Sequence, residues 1–360
     1  MRSKHGNVCV REKLAGRRPG SKRLALLTIM ACCLVGLLPV RSLGQAGDPL
    51  AEAERLKDKC GEFYKAGKYD AAIAQCQRAL AIREKALGGE HPDVATSLNN
   101  LAALYYAKGD YAKAEPLYLH ALTVYEKTLG REHPLVATSL NNLAALYKTT
   151  GDYARAEPLY QRALAIFEKA LGSEHPDVAT SLNNLADLYY AKGDYARAKP
   201  LYQRALAIRE KALGSGHPDV ATSLNNLAEL YRAKGDYAQA EPSYQRALAI
   251  YENVLGKEHP LVATSLNNLA GLYQDKGDYA RAEPLYEQAL AIYEKALGSE
   301  HPDVANSLNN LALLSRAKGD YTRAEPLYQR ALAIYEKALG SEHPDVATSL
   351  NNLGGLYKEE

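Results

Sequence analysis

From residue 91 onward, apolar residues return every three or four positions, break at a glycine, and return again. In the stretch opening at His91, Leu98, Leu101, Ala102 and Tyr105 stand at i, i+3, i+4 and i+7, the one-face spacing of an amphipathic helix, here called A. Pro92 suits its first turn, where a missing N–H goes unnoticed, and Asp93 complements the positive end of the helix dipole. Gly109 supplies a left-handed stop, and Asp110 can accept from the free N–H groups of the next helix. That helix, B, is predicted from about Tyr111 to Lys127, with Ala114, Leu117, Tyr118, Ala121, Leu122 and Tyr125 inward and Gly130 as its end. Ala102, Ala114 and Ala121 are small enough for A and B to approach closely.

The whole pattern recurs with a period of 42 residues, with starts at His91, His133, His175, His217, His259 and His301 and a lone helix A from His343 to residue 360. Each such unit cannot bury its apolar face alone, so a fixed period of this length predicts stacked repeats. A divergent first hairpin fills residues 45–90, six units fill 91–342, and the partial unit covers 343–360.

Leu98, Leu101, Ala102, Tyr105, Ala114, Tyr118 and Ala121 stand where the tetratricopeptide repeat has its signature residues, and the chain resembles that family over about residues 49–360. The extra length in the "LGREHP" loop and the "SLNNLA" segment are similar to the kinesin light chain type of the repeat. The resemblance implies an all-α fold, an α-solenoid of antiparallel helix pairs wound into a superhelix. An architecture of this kind does not by itself define a function.

Charge changes the picture once the N-terminus is set apart. Of 44 basic and 42 acidic residues, nine and one lie in residues 1–44, which leaves 35 and 41 in residues 45–360, net −6. Such a body has no basic excess to neutralise phosphates, which argues against nucleic acid as a partner. The basic N-terminal run precedes an apolar stretch from Leu24 to Val40, and Ser42 and Gly44 offer small residues before Gln45. Residues 1–44 therefore read as an export signal or, as the alternative, an N-terminal membrane anchor. A lipoprotein box at Ile29, Ala31 and Cys32 fits less well, because the apolar stretch continues past the cysteine. Either main reading leaves the repeats outside the cytoplasm, secreted or periplasmic. Beyond residue 44 the cysteines are Cys60 and Cys76, at nearly the same level on the two helices of the first hairpin. They are either a disulfide or two small core residues. Lys68 replaces the capping Asp of later units.

Two recurrent features invite a chemical reading. Seven His-Pro pairs suggest metal, but equivalent atoms in adjacent units are separated by a helix diameter of about 10 Å, far beyond the ~2 Å of a metal bond. No metal ligand set or cofactor is expected, and the histidines read as loop residues. Pro116 and its equivalents fall six residues into helix B and predict a bend or a late start. Phosphate loops, G-x-S-x-G, H-E-x-x-H and the kinase signature set are missing from the sequence, and the chain reads as a non-enzyme.

What remains is a surface. Thr96, Asn99, Ala103 and Tyr106 share the side of helix A opposite the leucine stripe, the side that faces the concave groove in the tetratricopeptide architecture. Stacking aligns Asn99, Asn141, Asn183, Asn225, Asn267 and Asn309 into a ladder, and an amide both donates and accepts. The resemblance implies that these asparagines hold the backbone of an extended peptide, as in kinesin light chains; alternatively they bond neighbouring helices and shape the solenoid. The copies differ mainly at Ala103, Ala145, Asp187, Glu229, Gly271 and Leu313, and at Tyr106, Lys148, Tyr190, Arg232, Gln274 and Arg316. Of these, Tyr106, Lys148, Asp187, Tyr190, Glu229 and Arg232 are the candidates for selecting a ligand. Ser315 departs from the tyrosine of earlier units and predicts a gap. The sequence thus points to a bacterial, extracytoplasmic scaffold for a peptide or protein partner. Its alternatives are a self-stacking homo-oligomer, favoured by apolar Leu350, Leu353 and Leu356 at the open end, and the sensor segment of a larger signalling protein.

Overall fold

A computed structural model describes residues 48–359, so the predicted export signal lies outside the described residues. Among the described residues fifteen helices follow one another, as seven pairs and a last single helix. The first hairpin is α1 (Pro49–Lys65) and α2 (Tyr69–Leu87). Then come α3 (Pro92–Ala107), α4 (Tyr111–Leu129), α5 (Pro134–Thr150), α6 (Tyr153–Leu171), α7 (Pro176–Ala191) and α8 (Tyr195–Leu213). The array closes with α9 (Pro218–Ala233), α10 (Tyr237–Leu255), α11 (Pro260–Asp275), α12 (Tyr279–Leu297), α13 (Pro302–Ala317), α14 (Tyr321–Leu339) and α15 (Pro344–Leu356).

Odd-numbered helices are the A helices, and their starts show what the His-Pro pair does. In α3, His91 is the N-cap: its Nδ1 accepts from the Asp93 N–H at 3.1 Å, with Pro92 in the first turn. The same bond recurs at His133, His175, His217, His259, His301 and His343. The histidines are therefore capping residues, a role open to an imidazole only while Nδ1 is unprotonated. Helix B is capped by aspartate, as Asp110 accepts from the Lys113 N–H, whereas Lys68 at the start of α2 makes no such bond. The predicted late start at proline does not occur: α4 begins at Tyr111 and runs through Pro116. Both Pro116 and Ala112, whose carbonyl loses its donor, face solvent, so that carbonyl is open to water and the missing bond costs little.

The A helices form the inner layer. Successive A helices pack on one another, while each B helix packs chiefly against the A helices before and after it. Helix A is consequently enclosed on most sides; in α5 every residue from Ser139 to Tyr147 is buried. The first hairpin differs. Where later units bury Val94, Ser97, Leu101 and Leu104, α1 carries exposed Glu52, Arg55, Lys59 and Glu62. Inside it, Cys60 and Cys76 form a disulfide with a Cα–Cα separation of 5.7 Å.

The superhelix winds tightly enough for its second turn to rest on its first. A Cβ placed on Gly67 would lie 2.9 Å from Pro302 Cδ, and one on Gly109 only 2.6 Å from His343 Cδ2. The two pairs are 235 and 234 residues apart, between five and six units. The contact encloses His301, which is 7% exposed where the equivalent His91 is 41% exposed. Tyr69 of the first hairpin joins the apolar cluster of Val304 and Val346, and Tyr64 and Ala107 line its edge. Gly67 and Gly109 have φ of 69° and 80°, so both the backbone conformation and the close approach of the second turn call for glycine there.

Candidate peptide-binding groove

On the inner layer the six asparagines form one continuous ladder. Each donates its side-chain Nδ2 to the serine Oγ of the next unit: Asn99 to Ser139 at 2.6 Å, Asn141 to Ser181 at 2.8 Å and Asn183 to Ser223 at 3.2 Å. Asn225 reaches Ser265 at 3.0 Å, Asn267 reaches Ser307 at 2.8 Å and Asn309 reaches Ser349 at 3.0 Å. All but the half-buried Asn267 are buried, so the groove wall on which the sequence placed them is closed over. Their bonds are those of the shaping role. Yet the Oδ1 atoms of all six are buried without a hydrogen-bond partner, because a single hydroxyl reaches only one end of each amide.

The variable side chains that the sequence offers for ligand selection are engaged within the solenoid. Each takes part in a contact across a junction between units. Tyr106 shares a 2.6 Å hydrogen bond with Thr149, and burial pushes its hydroxyl pKa up, the Thr149 bond opposing. Lys148 Nζ lies 3.7 Å from Asp187, which also accepts from the Tyr202 hydroxyl. Burial raises the Asp187 pKa, with Lys148 and Tyr202 acting in the opposite direction. The Tyr190 hydroxyl donates to Glu229 at 3.2 Å, and Tyr244 donates to the same carboxylate at 2.7 Å. Arg232 bridges Glu229 at 3.0 Å and Asp275 at 2.7 Å. The physical reason is the tight inner layer, which leaves too little room beside helix A for a solvated charge and so selects for a partner across the junction.

The variable residues therefore match one another across junctions, 39 residues apart. Lys148 meets Asp187, and Tyr190 meets Glu229. Where an arginine comes first, the next unit supplies glycine: a Cβ on Gly271 would lie 3.0 Å from the Arg232 guanidinium, and one on Gly355 3.1 Å from that of Arg316. The sequence reading missed this pairing, and it missed the hydroxyls of Tyr202, Tyr244 and Tyr286 that complete it; Tyr286 donates to Gln274 at 3.0 Å. The signal was the complementary residue types at a spacing of 39. Ser315 is buried within α13, and Glu283, which has no tyrosine partner there, is held by Lys318 and Arg323 instead. Among the described residues no group of three histidine, cysteine or carboxylate side chains is placed to hold a metal, and no helix is long and apolar enough to cross a membrane.

An inner layer of stacked A helices backed by B helices, in 42-residue units, defines a helical repeat scaffold. The tetratricopeptide repeat family matches the chain in seven overlapping segments, from residues 61–127 to 303–360, and the chain belongs to that family. Among solved structures it is similar to BtubC (BKLC) from P. vanneervenii, at 28% identity over 66% of this chain and 92% of that one, with a TM-score of 0.50. It is also similar to the nearly identical TPR-like repeats of a Podosopora anserina protein assigned as a kinesin light chain, at 36% identity over 57% and 98%, with a TM-score of 0.47. A Rap protein complexed with Competence and Sporulation Factor shares the fold at 18% identity over 88% and 87%, with a TM-score of 0.62. No curated protein sequence matches the chain.

Proposed function

We propose that the chain is a non-enzymatic scaffold that holds an extended peptide, or an extended segment of a partner protein, along the asparagine ladder of its concave side. The observation that carries this reading is the row of six buried, unpartnered Asn Oδ1 atoms. A buried acceptor without a donor costs about 1–3 kcal/mol. Peptide backbone N–H groups would remove that cost six times over, provided the superhelix opens enough to admit the strand. A solenoid whose units meet only their neighbours can open by small rotations at each junction.

Peptides selected from a random phage library against the full chain supply the test. Replacing Asn183 and Asn225 with Ala removes two acceptors, each bond contributing ~0.5–1.5 kcal/mol, so a selected peptide should bind roughly five- to a hundredfold more weakly. Circular dichroism checks that the variant is folded. A folded variant that binds as tightly as the parent would leave the asparagines with the shaping role alone.

End-to-end stacking of copies is disfavoured by the first hairpin. It would bury Glu52, Lys59 and Glu62 against the open face of α15, where Leu350 is 50% exposed. The place of action we propose is outside the cytoplasm, on the strength of residues 1–44 and of a disulfide, a bond that persists in oxidising compartments. N-terminal sequencing of the natively produced protein should then find a start near Gln45. An intact N-terminus in a soluble cytoplasmic fraction would refute export.

A further inference from the structure

Along the edge of the superhelix where A turns into B, a second ladder runs from unit to unit. A glutamate of one B helix accepts from a tyrosine, a lysine and a basic residue of the following unit. Glu157 accepts from the Tyr189 hydroxyl at 2.9 Å, from Lys192 at 2.6 Å and from Arg197 at 3.3 Å. Glu241 does the same with Tyr273 at 3.0 Å, Lys276 at 2.7 Å and Arg281 at 3.5 Å. Glu115 takes Tyr147 and Arg155, Glu283 takes Lys318 and Arg323, and Glu325 takes Tyr357.

The junction of α8 and α9 keeps the donors and reverses the acceptor. Tyr231 and Lys234 occupy the same places as Tyr189 and Lys192, but the glutamate is Lys199 and the arginine is Gln239. Lys199 Nζ lies 5.2 Å from the centre of the Tyr231 ring. Among the described residues neither Lys199 nor Lys234 has a carboxylate within ion-pair distance, in contrast to Lys192, Lys276 and Lys318. The flanking acid is Asp236 at the start of α10, whose side chain makes no cap bond.

We propose that this junction is a docking point for an acidic side chain of a partner protein. A carboxylate entering between the two ammonium groups, with the Tyr231 hydroxyl as a further donor, takes the part that the chain's own glutamate plays at five of the six other junctions, the first hairpin having Ile73 there. The fit is one of charge complementarity in a body that is otherwise net negative, so the site selects for a local acidic group and not for general attraction. It lies on the turn edge and is independent of the asparagine ladder.

The test uses the full chain and a fluorescein-labelled hexaglutamate peptide, with binding read by anisotropy at low salt. Saturable binding is expected in the parent. Lys199→Glu completes the ladder, so it should weaken binding by roughly tenfold while raising the melting temperature. Lys257→Glu makes the same change of charge in an exposed loop and should leave binding within about twofold. Asp236→Asn, which removes the competing carboxylate, should tighten it. Absence of saturable binding in the parent, or equal weakening by Lys199→Glu and Lys257→Glu, would overturn the proposal.

Discussion

Arg232→Met should destabilise the protein by about 3–5 kcal/mol, measured by urea denaturation, although it removes a residue that a sequence reading assigns to ligand selection. The guanidinium side chain is 8% exposed and is shared between Glu229 and Asp275, so its loss removes the cation that two acids of the inner layer share. Tyr190 and Tyr244 still donate to Glu229, and they offset part of the loss with neutral bonds. The coupling to the next unit gives a second measurement. Gly271→Ala alone should be destabilising, because its methyl would crowd the guanidinium. In the Arg232→Met background the same change should cost less, and a double-mutant cycle reports the difference. A loss below about 1 kcal/mol for Arg232→Met would show that water and the tyrosines replace the arginine, and that the inner network is looser than its geometry.

Leu185→Ala should cost about 2–5 kcal/mol, the range for deleting a buried leucine side chain. Leu185 is 5% exposed and sits in the middle of the array, in the cluster that joins α7 to its neighbours. Stability in a repeat array resides in the units and their nearest interfaces, so a weak central unit should also split the unfolding transition. The flanks are expected to remain helical at temperatures where the units opening at His133, His175 and His217 have melted. The contact between Gly67 and His301 spans that weak point and ties the first hairpin to the unit that opens at His301, which limits how far the halves separate. A calorimetric trace that keeps one sharp peak, merely shifted to lower temperature, would mean that this contact makes the whole superhelix one cooperative body.

Much of the fold was legible from the leucine and alanine spacing, because each helix pair is a local object. Leu98, Leu101 and Ala102 state which face of A meets B, and Gly109 and Asp110 state where the chain turns. From the sequence the histidines read only as loop residues. Their capping role depends on an imidazole nitrogen lying 3.1 Å from one backbone N–H, and residue spacing does not reveal that. The candidate site was legible as a set of positions, whereas the pairing of those positions between units was not. Asn183, Asp187 and Tyr190 do share one side of α7, but Asn183 and Tyr190 meet α9 there while Asp187 meets Lys148 of α5, and the exposure of a helix face depends on how closely the neighbouring units stack.

The sequence by itself determined the unit, its period, its two helices and the places where the copies differ, since these rest on contacts within about 40 residues. Only the tertiary structure decided the pitch of the superhelix, and with it the burial of the groove. A small rotation at each junction, repeated five or six times, brings residues 234 positions apart into contact at Gly67 and His301. No local pattern encodes that sum. It is why Arg232 and Asp187, which read as free charges along the chain, are enclosed and paired in the molecule, and why Lys199, one substitution among near-identical copies, is a break in a ladder that only the stacked units reveal.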